Sequence, residues 1–180
     1  MLRLELEAYE YYNETTNEFA TIKPLVINLE HSLVSISKWE SKWNKAFLSR
    51  DPKTIEETND YIKCMCVGQM IDDTIISRLT TKHKIAINEY IDAPMTATVI
   101  RSPENKRPNR EIITSEIIYY WMIVYNIPFE CEKWHLNRLL TLVNVCNIKN
   151  SPPKPMSKSE LAKRNAEINA ARRKRMNSGG

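Results

Sequence analysis

The sequence predicts a mainly α protein: an N-terminal β-hairpin or strand pair, then a helical bundle, then a separate basic C-terminal helix. Three observations predict it. Apolar residues alternate with charged ones over the first eight positions. From residue 32 to residue 147 they recur mostly at steps of three and four. A proline cluster at 151–155 then precedes a stretch dominated by Ala, Lys, Arg and Glu. Period two marks a half-buried strand and steps of three and four mark a helix face.

Leu2, Leu4, Leu6 and Ala8 alternate with Arg3, Glu5 and Glu7, which reads as a strand. Asn13 to Asn17 is a polar turn region. Leu25-Val-Ile-Asn-Leu29 follows Pro24 and reads as the second strand. Residues 1–30 are thus expected as a strand pair packed on the body. Acidic Glu5, Glu7 and Glu10 discourage further strands from adding at its edge.

Residues 31–150 form the helical body. Leu33, Ile36, Trp39, Trp43 and Phe47 lie on one stripe, which predicts a single helix over 32–46. Glu40, Lys42 and Lys45 suggest that its opposite face is wet. Asp51-Pro52 opens a second helix, since proline is tolerated at the first helical position. Thr54 and Glu57 have capping-box spacing. That helix should end near Cys66, with Gly68 allowing a break. Two shorter helices follow, over 73–79 and 81–91. Residues 93–100 read as an extended connector, and 102–110, with Pro103 and Pro108, as an exposed loop. Residues 111–125 make the most apolar helix, with apolar side chains on more than one face; it is expected to be buried on several sides. Pro128 should end it. A last body helix is expected over 131–147, with Leu136, Leu139, Leu140, Val143 and Cys146 as its stripe.

Residues 151–156 are a stiff Pro-rich linker. Residues 157–180 are the tail, where Ser157 and Glu160 have capping-box spacing. From Lys154 onward there are eight Lys/Arg and two acids, a net +6. The remainder holds 18 basic and 20 acidic residues, a net −2. The positive charge therefore belongs to the tail, the pattern of an arm for an acidic partner.

Several chemistries are disfavoured. Three glycines, two of them at the C-terminus, leave little material for phosphate loops or Rossmann turns. No run of about 20 apolar residues is present to span a membrane, and the opening residues lack the basic-then-apolar pattern of a signal peptide. The chain is expected in the cytoplasm. Cys64 and Cys66, two apart on a helix, point about 200° away from each other and cannot easily share an ion. Cys131 and Cys146 lack Cys-x-x-Cys spacing. All four are expected as structural thiols. Cys131 and His135, four apart, would face one way on a helix, but no orienting group or oxyanion site accompanies them. His135 is expected to be a partly exposed helix residue. Glu56, Glu57, Asp60, Asp72 and Asp73 lack the glycine and acid spacing of a calcium loop. No enzyme activity, cofactor or metal is expected.

The candidate partner-binding residues are Trp39, Trp43, Trp134 and the basic run Arg172, Arg173, Lys174 and Arg175. Core packing is the simpler explanation of Trp39 and Trp43, and a partner anchor the functional one. The basic run suits phosphate but has no aromatic neighbour to stack on bases.

Several segments carry a resemblance. They are Ser35-Ile-Ser-Lys-Trp-Glu-Ser-Lys-Trp43, Glu56-Glu-Thr-Asn-Asp-Tyr-Ile62, Asn88-Glu-Tyr-Ile-Asp-Ala-Pro-Met-Thr-Ala97, Ile118-Tyr-Tyr-Trp-Met122, Ile127-Pro-Phe-Glu-Cys131 and Trp134-His-Leu-Asn-Arg-Leu-Leu-Thr-Leu142. Asn-Ala-Ala-Arg-Arg within 166–175 completes them. Together, over residues 29–176, they resemble tail assembly chaperones of long-tailed, non-contractile bacteriophages. The resemblance implies a non-catalytic protein of the host cytoplasm that binds the aggregation-prone tape-measure protein. It also implies help in delivering tail tube protein and absence from the finished virion. Many such chaperones also exist in a longer form made by ribosomal frameshifting. The tail of this chain would then be the junction to that form, a further partner. Self-association into a homo-oligomer is left open. The alternatives are a nucleic-acid-binding protein using the basic arm, which the acidic body disfavours, and a structural head–tail component.

Overall fold

A computed structural model describes residues 1–13, 17–100, 112–151 and 158–176. The chain divides into two compact units, Met1–Ile148 and Lys149–Gly180. The first unit is mainly α with an N-terminal ribbon of strands.

The ribbon is longer than the sequence suggests. Strand β1 (Leu2–Leu6) pairs antiparallel with β4 (Leu25–Leu29), and β2 (Tyr9–Asn13) pairs with β3 (Glu18–Ile22). Leu6 stands opposite Leu25 and Tyr9 opposite Ile22. The register is therefore unchanged across the gap, and the two pairs are one hairpin interrupted once. Pro24 sits in the gap and has no N–H to give to a ladder. Arg78 fills it instead, its guanidinium donating to the carbonyls of Glu7 at 2.8 Å and Lys23 at 3.2 Å. The first strand stops at Leu6 rather than Ala8 for this reason. Of the expected turn, Asn17 is left-handed at φ 53°, and residues 14–16 lie outside the described residues. Leu4, Leu6, Ile27 and Leu29 point from one face of the ribbon into the core.

Helix α1 (Leu33–Trp43) starts at Ser32, which caps it reciprocally with Ser35. It buries Leu33, Ile36 and Trp39. It ends three residues earlier than expected, because Asn44 adopts a left-handed conformation at φ 51° and donates its N–H to the Glu40 carbonyl. Phe47 is therefore not on the helix. The chain doubles back and lays its ring 4.0 Å from Tyr61 and 5.2 Å from Trp39, centroid to centroid. Helix α2 (Ile55–Met65) begins at the Thr54–Glu57 capping box, not at Pro52. Gly68 takes φ 83° after it. Helices α3 (Asp73–Ser77) and α4 (Thr81–Asp92) are capped by Asp72 and Thr80. Residues 93–100 form no helix or strand, and the loop expected at 102–110 lies outside the described residues.

Helix α5 (Ser115–Val124) shows how a buried charge sets the packing. Its N-cap, Thr114, makes no side-chain cap bond. Glu40 of α1 supplies one from another element: Oε2 accepts the Ser115 N–H at 2.7 Å and Oε1 the Phe47 N–H at 2.7 Å. A carboxylate at a helix N-terminus also complements the helix dipole. Glu40 is buried, not on the wet face where sequence reasoning puts it. Nor is α5 enclosed on several sides. Ile118 and Met122 are buried, while Tyr120 is 62% exposed and Ile123 61%. Helix α1 is its main packing neighbour, so one face is left open.

The helix expected over 131–147 is two elements. A 3-10 turn (Phe129–Lys133) follows Pro128, Trp134 is extended, and α6 (Leu136–Asn150) begins afterwards. The break lets Ser32 and His135 form an antiparallel bridge, with the Leu136 N–H donating to the His31 carbonyl at 2.7 Å. In the second unit, α7 (Lys158–Met176) is a helix whose residues 161–176 are exposed. The linker at 152–157 lies outside the described residues, as does Ser157 of the expected capping box.

Replacing Glu40 by Ala leaves two backbone donors without their acceptor. Glu40→Ala is expected to cost about 2–4 kcal/mol, and Glu40→Gln less because one oxygen remains. Urea unfolding of both variants checks this; an unchanged midpoint for Glu40→Ala contradicts the capping role.

Candidate functional site

Several polar side chains are buried in the first unit. His31 is enclosed by Tyr61, Phe47 and His135. Its Nδ1 lies 2.5 Å from the Tyr61 hydroxyl, and its ring centroid 5.1 Å from that of His135. A carbonyl only accepts, so the 2.9 Å contact between His135 Nε2 and the Tyr90 carbonyl places a proton on Nε2. Nδ1 of the same ring accepts the Asn137 N–H at 3.3 Å. Both nitrogens are committed, and His135 is buried rather than partly exposed. The Tyr90 hydroxyl donates to Glu30 Oε1 at 2.5 Å, and Glu30 Oε2 takes the terminal ammonium of Met1 at 2.9 Å. Burial is the largest cause that lowers the His31 pKa to about 4. Burial raises the Tyr61 and Tyr90 hydroxyls above their ordinary value. These groups hold one another, and Tyr61 also lines a cavity between α2 and α4.

Cys131 is not on a helix with His135, whose nitrogens are already occupied. Burial raises its thiol pKa, which disfavours the thiolate. Cys64 and Cys66 are raised by burial as well. The acidic residues of α2 are paired. Glu57 receives Lys45 and the Thr54 N–H, and these hold its carboxyl below the usual range. Burial pushes Asp60 upward, but Lys42 and Lys63 outweigh it and hold it low. No group of three His, Cys, Asp or Glu able to hold a metal occurs among the described residues. No described helix is long and apolar enough to cross a membrane.

The sequence-predicted partner residues are divided between the two units. Trp39 is a core residue, 1% exposed, and its Nε1 donates to the Glu57 carbonyl at 2.8 Å. Its side chain is unavailable to a partner in this conformation. Trp43 is half-buried beside it, with a buried Nε1 that has no hydrogen-bond acceptor among the described residues. Trp134 is half-buried under the Arg138 guanidinium, 4.0 Å from the ring centroid. Arg172, Arg173, Lys174 and Arg175 are exposed on α7 in the other unit.

Two surfaces were not read from the sequence. One is the outer face of α5. At 100° per residue, Glu116, Tyr120, Ile123 and Val124 fall within about 100° of arc, and all are exposed. Tyr119 borders them, donating to Glu132 Oε2 at 2.9 Å, with exposed Phe129 at 6.4 Å between ring centroids. Burial first, then this bond, pushes the Tyr119 pKa up to about 12. The spacing of Tyr120, Ile123 and Val124 was the available signal, hidden because α5 is apolar all round. The other surface is a cavity of about 270 Å³ between α2 and α4, lined by Ile55, Ile62, Ile87, Ile91 and their neighbours.

No family model, no curated protein and no solved structure matches the chain.

The depressed His31 pKa makes stability depend on pH. Between about pH 6.5 and pH 4 the unfolded chain binds a proton that the folded chain refuses. Stability is therefore complete for this group above 6.5 and falls as pH drops through that window, by on the order of 3–4 kcal/mol at full protonation. Unfolding free energies from pH 8 to pH 4 should show the decline, and the His31 ring resonances should titrate near pH 4. A midpoint near 6.5 contradicts the enclosure of His31.

Proposed function

We propose that the chain is a non-catalytic tail assembly chaperone of a long-tailed, non-contractile bacteriophage. In this reading it acts in the host cytoplasm, binds helical segments of the tape-measure protein, and helps bring tail tube protein to it. It is absent from the finished particle. The motif resemblance supplies the identity of the partner. The supporting observation in the structure is the exposed apolar face of α5, with Tyr120, Ile123 and Val124 unpartnered among the described residues. Contiguous exposed apolar surface marks interaction sites on soluble proteins, and an amphipathic helix laid against such a face is a recurrent recognition mode. Covering a client's apolar stripe in this way suppresses its self-association. The role needs no nucleotide and no metal.

A second reading is favoured by one observation: the exposed Arg172, Arg173, Lys174 and Arg175 at the end of α7. In that reading the tail is a nucleic-acid arm. Its binding would weaken steeply with salt and vanish with the tail.

Co-expression with the tape-measure protein of the same phage tests the first reading. The wild-type chain should co-purify with it. The double variant Ile123→Asp, Val124→Asp should lose at least about tenfold in affinity (about 1.4 kcal/mol) with an unchanged unfolding midpoint, since both positions are exposed. Undiminished capture by a folded double variant counts against the α5 face. Absence of any capture by the wild type, with salt-sensitive DNA binding in its place, moves the assignment to the second reading.

A further inference from the structure

The cavity between α2 and α4 has an unusual regularity. Its lining from α2 includes Ile55, Thr58, Asn59 and Ile62; its lining from α4 is Lys84, Ile87, Asn88 and Ile91. Each set is spaced i, i+3, i+4, i+7. Each wall therefore presents one helix face over two turns, and the two faces together form a trough. Ile62 and Ile87 are buried at its floor, at 4% and 2% exposure, whereas Ile55 is 81% exposed at the first position of α2. A trough of this shape accepts the ridge of a third helix, as in any small bundle. At about 270 Å³ it is below the usual volume of about 300–1,000 Å³ for small-molecule sites. It has room for the anchor side chains of a helix.

The charges select among helices. The lining carries Lys53 and Lys84 and no carboxylate. Lys53 is a lining residue whose ammonium lies 4.5 Å from the Phe47 ring centroid. Lys84 is exposed. A helix with Glu or Asp beside its apolar ridge meets both lysines favourably. A basic helix, of the composition of α7, meets like charge.

We propose that the α2–α4 trough is a docking site for an acidic amphipathic helix of a partner protein, with apolar residues at i, i+3, i+4 and i+7. The proposal concerns a surface other than the α5 face and does not rest on the tail-assembly reading.

The test uses the full chain and two synthetic peptides of about 20 residues, long enough to populate helix in water. Both carry Leu at i, i+3, i+4 and i+7; one has Glu at the flanking positions and the other Lys. Fluorescence anisotropy should show the acidic peptide binding at least about tenfold more tightly. Ile55→Asp should weaken it by a similar factor, and Lys84→Glu should reduce or invert the preference; both side chains are exposed, and circular dichroism verifies their folding. Equal affinity for the two peptides overturns the proposal, as does binding indifferent to Ile55→Asp. A concentration-dependent dimer dissolved by Ile55→Asp, without peptide binding, assigns the trough to a second copy and also overturns it.

Discussion

The first unit is organised around the turn from β4 into α1. Over three residues the chain engages three other helices. Glu30 accepts the Tyr90 hydroxyl of α4, His31 meets Tyr61 of α2, and the His31 carbonyl accepts the first N–H of α6. Ser32 then caps α1 while bridging to His135. Polar groups are costly to bury unless satisfied, so each of these partners constrains where its own element can lie. The imidazoles are suited to this place because an uncharged ring can both donate and accept while packing against the rings of Phe47, Tyr61 and Tyr90. The depressed His31 pKa is the counterpart of that enclosure.

Glu40 performs a comparable task one turn before the end of α1. Its carbonyl accepts the capping N–H of Asn44, and its two carboxylate oxygens hold Phe47 and Ser115. The left-handed Asn44 throws Phe47 back onto Tyr61 and Trp39, and the same carboxylate anchors the start of α5. Sequence reasoning assigns Glu40 to the wet face of the helix together with Lys42 and Lys45. The burial of one carboxylate follows instead from two backbone donors arriving from distant parts of the chain, which no local pattern announces.

That contrast explains what was legible. Strand β4 was readable to the residue, and the capping box at Thr54 and Glu57 forms as its spacing implies. These signals are local: alternation, a cap, a run of apolar residues at one period. Strands β2 and β3 escaped because Tyr9-Glu-Tyr-Tyr and Glu-Phe-Ala-Thr-Ile22 lie on a ribbon with little core beneath it, so their alternation is weak. The break at Trp134 escaped because α6 and the preceding turn share an apolar rhythm. The candidate surfaces were the least legible part. Sequence periodicity identifies an apolar helix face but not whether another element covers it, and α5 reads as buried for that reason. Trp39 shows the same ambiguity in reverse, an aromatic residue equally suited to a core and to an anchor until its burial is known.

The distribution of polar groups bears on function more directly than any motif. Both nitrogens of His135, both carboxylate oxygens of Glu40 and both of Glu57 are engaged within the fold. These three side chains hold elements of the first unit together. What the first unit leaves unpaired among its described residues is of another kind: an apolar face on α5, packed from one side by α1, and a two-walled trough between α2 and α4. Each is a largely apolar surface on helices of the first unit. In the proposed readings a helix of another protein would cover such a face, and its burial would recover hydrophobic free energy that the chain alone leaves unrealised.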